Sequence, residues 1–156
     1  MFDTKVLITS TILGIIGAVI FVYIFPKGAI TTLMHQVMKL PGPGAGIAVI
    51  LGPFIIFFAF LSSKISGGYA GCITTFTYAL MYFVIVKIWG LQVEDKGKFG
   101  SIEFFTGIII LGAITDYLLY LLRNKKSLWK FILTACIVNL ILLIYYWIII
   151  FPPVSY

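Results

Sequence analysis

A few polar side chains in an otherwise apolar chain could do chemistry, and their types favour binding of a small molecule over catalysis. Asp116 and Asn139 lie inside long hydrophobic runs, where a polar group is costly and is kept for a function or for a hydrogen bond between helices. Aromatic rings could stack on a flat heterocycle while polar groups orient it. The predicted substrate-binding set is His35, Tyr78, Tyr82, Trp89, Glu103, Asp116 and Asn139.

The residue types present do not favour a catalytic site or a metal site. A single histidine can build neither a three-histidine zinc site nor an HExxH helix. Cys72 and Cys136 are far apart, lack CxxC spacing and are expected to be buried free thiols. No serine stands in a nucleophile elbow. We therefore predict that the protein is not an enzyme and has no catalytic residues, metal or cofactor.

The composition determines which elements position these residues. Of 156 residues, 62% are hydrophobic and only 10% are charged, and the mean hydropathy is +1.14. Such a chain belongs in a lipid bilayer, so we predict one all-α domain over residues 1–156, a polytopic transmembrane helical bundle. Nucleic-acid binding is excluded, because no soluble basic face with stacking aromatics exists.

Five apolar runs are long enough to be clear spans, since a helix crosses the hydrocarbon with roughly 20 residues. They cover residues 6–25, 46–61, 69–89, 104–122 and 128–151. The segment 28–40 instead has apolar residues at i, i+3, i+4 and i+7. It is predicted to be a short amphipathic helix that lies along the outer surface, or a re-entrant or short tilted helix, which would make a sixth span.

Positive charge predicts the orientation in the cell membrane. The loop 123–130 carries Arg123, Lys125, Lys126 and Lys130, and such loops stay on the cytoplasmic side. Alternation of the spans then places the N-terminus in the cytoplasm and the C-terminus outside. The same loop could attract anionic lipid headgroups or an acidic partner.

The sequence "MKLPGPGAGI" interrupts the hydrophobic pattern before the second span. Its prolines remove backbone donors and its glycines permit close backbone approach. A second interruption follows at Gly52 and Pro53, and a hydrophobic helix broken in this way is typical of a transport-type binding cavity. The predicted lid or hinge residues are Pro41, Gly42, Pro43, Gly44 and Gly46.

Small residues on the first span predict close helix packing. Ser10, Gly14 and Ala18 recur every four residues, which forms a stripe that lets another helix approach closely. The stripe could contact a helix of the same bundle or a second subunit.

Three stretches resemble a known family. "LPGPGAGIAVILGPF", "SGGYAGCITTFTYAL" and "GIIILGAITDYLLYLLRNKKSLW" are similar to the substrate-binding S components of energy-coupling factor transporters, of the hydroxymethylpyrimidine and thiamine-precursor type. The resemblance covers about residues 38–130. It implies a vitamin or metabolite site near the outer side, a lid at residues 38–46, and contact of Ser10, Gly14 and Ala18 with a transmembrane coupling protein. The family has six spans with both ends cytoplasmic, against five clear spans here.

These observations predict an integral membrane transport subunit that binds a small polar metabolite or vitamin precursor for uptake. Its partners would be the lipid bilayer, the small-molecule ligand, a transmembrane coupling protein and ATPases, since the chain has no phosphate-binding loop of its own. The alternative is an accessory structural subunit of a larger membrane enzyme or respiratory complex.

Overall fold

The computed structural model describes residues 3–25, 32–39, 50–88, 102–124, 126–145 and 148. Every regular element in those ranges is helical, which confirms the prediction of an all-α fold for this part of the chain. A π-helical segment occupies Thr32–Val37. The α-helices are α1 (Thr4–Ile24), α2 (Gly52–Ser66), α3 (Ala70–Ile88), α4 (Ile102–Leu121) and α5 (Ser127–Tyr145).

Four of the described helices, α1, α3, α4 and α5, are long and apolar enough to cross a membrane. The helix α2 has 15 residues and is about 22 Å long, short of the roughly 30 Å of hydrocarbon. The predicted count of five clear spans is therefore not matched by the described residues. The first four residues of the predicted second span, 46–49, lie outside them.

Gly52 and Pro53, where the sequence predicted a break inside a span, stand at the beginning of α2 instead. Ile50 and Leu51 precede them in a π-helical turn, and regular α-helix starts at Gly52. Pro53 lies in the first turn of the regular α-helix, directly after Leu51, which already has helical dihedral angles (φ −65°, ψ −48°). The proline therefore stands where π-helical backbone passes into α-helix, and the residues before Ile50 lie outside the described part of the chain.

The described part of segment 28–40 is a π-helical turn rather than an amphipathic α-helix. The amide of Met38 donates to the carbonyl of Leu33 at 2.9 Å, the wide spacing of a π-helix. Lys39 follows with a φ of 53°, which ends the helical conformation. Two of the four apolar residues of the predicted pattern, Ile30 and the side chain of Met34, lie outside the described residues.

The helix α3 lies at the centre of the bundle. It packs against α1, α2 and α4, while α5 packs against α4 and α2. The core between these helices is apolar and largely aromatic at one end. Its largest fully buried side chains are Tyr78, Tyr82, Phe21, Phe104, Leu51, Ile55, Ile56, Ile108 and Val138.

Two glycines allow α3 to approach its neighbours closely. A Cβ added at Gly14 of α1 would lie 2.6 Å from the carbonyl oxygen of Thr74. At Gly112 of α4, a Cβ would overlap the hydroxyl of Thr75 and lie 3.0 Å from the Cα of Cys72. Contacts between helix backbones of this kind replace the hydrophobic effect as the source of stability in lipid.

The turn between α2 and α3 depends on glycine for a different reason. Gly67 and Gly68 have φ values of 70° and 60°, a conformation that other residues adopt only with strain. The amide of Gly67 donates to the carbonyl of Ser63 at 2.9 Å and so closes the last turn of α2. The chain reverses between Ser66 and Ala70, and the two helices pack side by side.

We predict that Gly112→Ala destabilises the bundle, because the new methyl group must displace Thr75 or separate α3 from α4. Overpacking of this kind costs about 2 kcal/mol, or about 5 °C in melting temperature for a chain of this size. The measurement is thermal unfolding of the detergent-purified protein. The control is Ala113→Val, which adds bulk at the neighbouring exposed position; equal melting temperatures for the two variants would contradict the close crossing.

Candidate functional site

The carboxylate of Asp116, on α4, binds the beginning of α3. Its Oδ1 accepts hydrogen bonds from the Ser63 hydroxyl at 2.7 Å and the Gly71 amide at 3.0 Å, and its Oδ2 accepts one from the Cys72 amide at 2.7 Å. The first amides of any helix have no partner within that helix, and the end that carries them has a partial positive charge. Asp116 therefore acts as the N-cap of α3, although it lies on another helix.

A second layer of hydroxyl groups lies directly behind this carboxylate. The hydroxyls of Ser62 and Ser10 are hydrogen-bonded at 2.9 Å, which joins α2 to α1. Ser62 also lies 3.3 Å from the carbonyl oxygen of Ala70, and the Thr74 hydroxyl donates to the same carbonyl at 2.7 Å. Side chains of α1, α2 and α4 therefore converge on the first turn of α3.

Gly71 makes room for the carboxylate. A Cβ at this position would collide with the Asp116 carboxyl group and lie 3.2 Å from the Ser63 hydroxyl. Glycine is therefore required here by the approach of Asp116 and not by backbone conformation. We call Ser63, Gly71, Cys72 and Asp116 the capping site.

The capping site opens on one side into a groove of about 1010 Å³. Asp116 and Cys72 form its floor, and three exposed tyrosines surround it. The lining residues are Gly68, Tyr69, Cys72, Ile73, Ala113, Asp116, Tyr117 and Tyr120. Next to it, the guanidinium of Arg123 lies 5.0 Å from the centre of the Tyr120 ring, within the range of a cation–π contact.

A second group of predicted residues lies deeper in α3. The rings of Tyr78 and Tyr82 are parallel within 5° with centroids 6.3 Å apart. Phe21 lies 6.3 Å from each, and Phe104 lies 5.8 Å from Tyr82. Together with Phe54, 5.4 Å from Phe21, these residues form what we call the aromatic cluster. The Tyr78 hydroxyl is buried and has no hydrogen-bond partner in the described part of the chain.

The described members of the predicted binding set are spread along the bundle. Glu103 is exposed in the first turn of α4 and stands about 20 Å from Asp116 along that helix. Tyr82 lies about 15 Å along α3 from the capping site. Asn139 is partly buried near the middle of α5. Tyr78 and Tyr82 are the members of the set that the structure brings into direct ring contact with each other.

The remaining predicted residues lie wholly or partly outside the described residues. His35 lies in the π-helical segment, but its side chain is outside the described residues. Trp89 and the lid residues Pro41, Gly42, Pro43, Gly44 and Gly46 are also outside them.

The small-residue stripe of α1 faces the inside of this chain. Ser10, Gly14 and Ala18 are all buried. Ser10 binds Ser62 of α2, and Gly14 lies against Thr74 and Thr77 of α3. A partner that contacts α1 therefore has to use the opposite, exposed face of the helix, which carries Ile8, Ile12 and Ile16.

Comparison of the chain with protein-family profiles, with curated proteins and with solved structures finds no match. The site must therefore be interpreted from its own geometry. Within the described residues, no three His, Cys, Asp or Glu side chains come together in a way that could hold a metal ion.

The partners of Asp116 are what sequence reasoning missed. It placed the carboxylate at membrane depth and expected a partner, but it did not name Ser63 or the amides of Gly71 and Cys72. One signal was available: the residues directly before α3 are "GGY", which supply no side-chain cap. The observed contacts favour the alternative in which Asp116 holds helices together.

We predict that Asp116→Ala lowers stability strongly, because a hydroxyl and two amides lose their acceptor in a nonpolar environment. Hydrogen bonds to a charged group contribute more than neutral ones, and the expected loss is about 3 kcal/mol. Asp116→Asn keeps one oxygen acceptor and should recover part of it. Thermal unfolding in mild detergent measures both.

The matched control for this prediction is Asp3→Ala. Asp3 caps α1 locally by accepting from the Lys5 amide at 3.0 Å, but it is exposed, so water can replace it. Its removal should lower the melting temperature by less than half as much as removal of Asp116. Equal effects of the two substitutions would show that Asp116 is no more than a local cap.

Proposed function

We propose that the chain is a transport subunit of the cell membrane that captures a small polar metabolite or vitamin precursor and passes it on together with partner subunits. The observation that carries the proposal is the buried Tyr78 hydroxyl in the aromatic cluster. Its residue is 1% exposed, and the hydroxyl has no partner in the described residues. A ligand that hydrogen-bonds this group would remove the cost of leaving it unpaired, about 1–3 kcal/mol.

The chemistry of the aromatic cluster supports a flat ligand. The rings of Phe21, Phe54 and Phe104 and the parallel pair Tyr78 and Tyr82 provide faces for stacking a heterocycle. A pyrimidine ring also carries nitrogen atoms that accept or donate a hydrogen bond, which matches a single buried hydroxyl. The ligand class is therefore a small heterocycle of the hydroxymethylpyrimidine type, as the sequence resemblance implies.

The position of the cluster in the bundle also supports capture from one side. Tyr82 lies in the last two turns of α3, against Phe104 in the first turn of α4. Lys64, Arg123 and Lys130 are near the opposite helix ends, and the positive-inside rule assigns that end to the cytoplasm. The cluster would then face outward, and the predicted lid at residues 41–46 directly precedes α2 in the sequence.

The capping site has a positioning role in this proposal. It fixes the beginning of α3 and so sets the depth and rotation of Tyr78, which lies about 9 Å further along the helix. Asp116 is then not a ligand residue of the heterocycle. Energy for uptake would come from partner ATPases bound through a coupling protein.

A second candidate function is that of an accessory subunit, and the packing of α5 favours it. Only 17% of its candidate span is buried, against 33–39% for the other three. Its exposed face, which includes Ile137, Leu140 and Ile144, could seat a larger membrane complex. Mild-detergent purification followed by a native gel distinguishes the two candidate functions. An accessory subunit migrates with a stable complex and binds no heterocycle.

The proposed function predicts that Tyr78→Phe weakens ligand binding without loss of stability. In the ligand-free protein the hydroxyl contributes no described hydrogen bond, so its removal should leave the melting temperature unchanged or slightly higher. Loss of one hydrogen bond to the ligand lowers affinity about tenfold. Calorimetric titration with hydroxymethylpyrimidine and with thiamine measures the change.

Tyr117→Phe is the control for this titration, because Tyr117 is exposed and lies outside the aromatic cluster. Mass spectrometry of small molecules that co-purify with the protein extends the test to other heterocycles. The proposal is overturned if no heterocycle co-purifies with the protein and neither probe binds to it. It is also overturned if the Tyr78→Phe variant binds a probe as tightly as the original protein does.

A further inference from the structure

A second, smaller cavity lies between α2, α4 and α5, on the other side of Ser63 from the groove. It measures about 230 Å³ and is lined by Phe60, Ser63, Lys64, Leu119 and Lys130. Lys64 stands in the last turn of α2 and Lys130 one turn into α5. Two lysines from different helices therefore line one cavity, close to the ends of those helices.

No acidic side chain of the described residues neutralises these two lysines. Three of the described residues are acidic. Asp3 caps α1, Glu103 is at the far end of α4, and the Asp116 carboxylate binds Ser63 and the α3 amides. Asp116 lies behind Ser63 and reduces the positive potential in the cavity, but the positive end of α3 offsets part of its charge. The cavity thus retains a net attraction for an anion.

The walls of the cavity match a ligand with an apolar part. Phe60 packs edge-to-face on Phe131 of α5 with centroids 5.0 Å apart, and Leu119 contributes from α4. Lys64 is exposed and Lys130 partly buried, so both ammonium groups can reach the aqueous boundary along their apolar stems. Lysines at a boundary above aromatic and aliphatic walls fit a phosphate joined to acyl chains.

We propose that this cavity binds the phosphate group of an anionic phospholipid, with Lys64 and Lys130 as its ligands and Phe60 and Leu119 against the glycerol and acyl chains. Basic pockets between helices on the cytoplasmic side are suited to such headgroups. The site is separate from the aromatic cluster and does not depend on the proposed transport function. A bound lipid would hold α2 and α5 together at this end of the bundle.

The experiment titrates the detergent-purified protein with phosphatidylglycerol or phosphatidylcholine and counts bound lipids by native mass spectrometry. The double variant Lys64→Gln, Lys130→Gln should bind phosphatidylglycerol about 30-fold more weakly, about fivefold for each lysine. The matched control is Lys5→Gln, Lys126→Gln, which removes the same charge from exposed positions outside the cavity and should bind as the original protein does.

Two further readouts make the result decisive. Melting temperatures in lipid-free detergent should agree between the double variant and its control, which shows that the cavity variant is folded. Excess inorganic phosphate should not displace the lipid, because it has no apolar part. The assignment is overturned if the two double variants bind phosphatidylglycerol equally. It is also overturned if the original protein binds phosphatidylcholine as tightly as phosphatidylglycerol, or if inorganic phosphate alone displaces the lipid.

Discussion

The hydrogen bonds from the beginning of α3 to Asp116 are the constraint on which the rest of the bundle depends. The first amides of a helix need acceptors from outside that helix, and the turn "GGY" before α3 offers no capping side chain. The carboxylate from α4 supplies the missing acceptor at 2.7–3.0 Å. It can reach the amides only because Gly71 and Gly112 let α3 and α4 approach. Capping of α3 by Asp116 therefore requires the close approach of α3 and α4.

This constraint divides the bundle into two ends with different chemistry. One end holds the capping carboxylate, lysines, and serine hydroxyls that form short hydrogen bonds with each other and with Asp116. The other end holds the aromatic cluster, where Tyr78 contributes a hydroxyl without a described partner. The polar end is held by directional hydrogen bonds from Ser62 to Ser10 and from Ser63 to Asp116. The aromatic end is held by dispersion forces, so it can adapt to a flat guest at lower cost.

The fold was more predictable from sequence than the site, for a physical reason. Hydropathy over about 20 residues is a local property, so the predicted spans 69–89 and 104–122 agree with α3 (Ala70–Ile88) and α4 (Ile102–Leu121) within two residues. The position of Asp116 inside a long apolar helix followed from the same local reasoning. Its partners did not, because Ser63 and Cys72 are 53 and 44 residues away and their meeting depends on helix rotation. The separation of Glu103, Tyr82 and Asp116 along the bundle depends on the same helix packing, which local patterns do not contain.

The separation between Cys72 and Asp116 also affects the order in which the protein can be assembled. The chain leaves the ribosome from its N-terminus, so α3 is complete at Ile88, 28 residues before its cap at Asp116 is made. Until α4 packs against α3, the first amides of α3 have no carboxylate to bind. The start of α3 therefore receives its acceptor late in assembly, from a helix that is made after α3 itself.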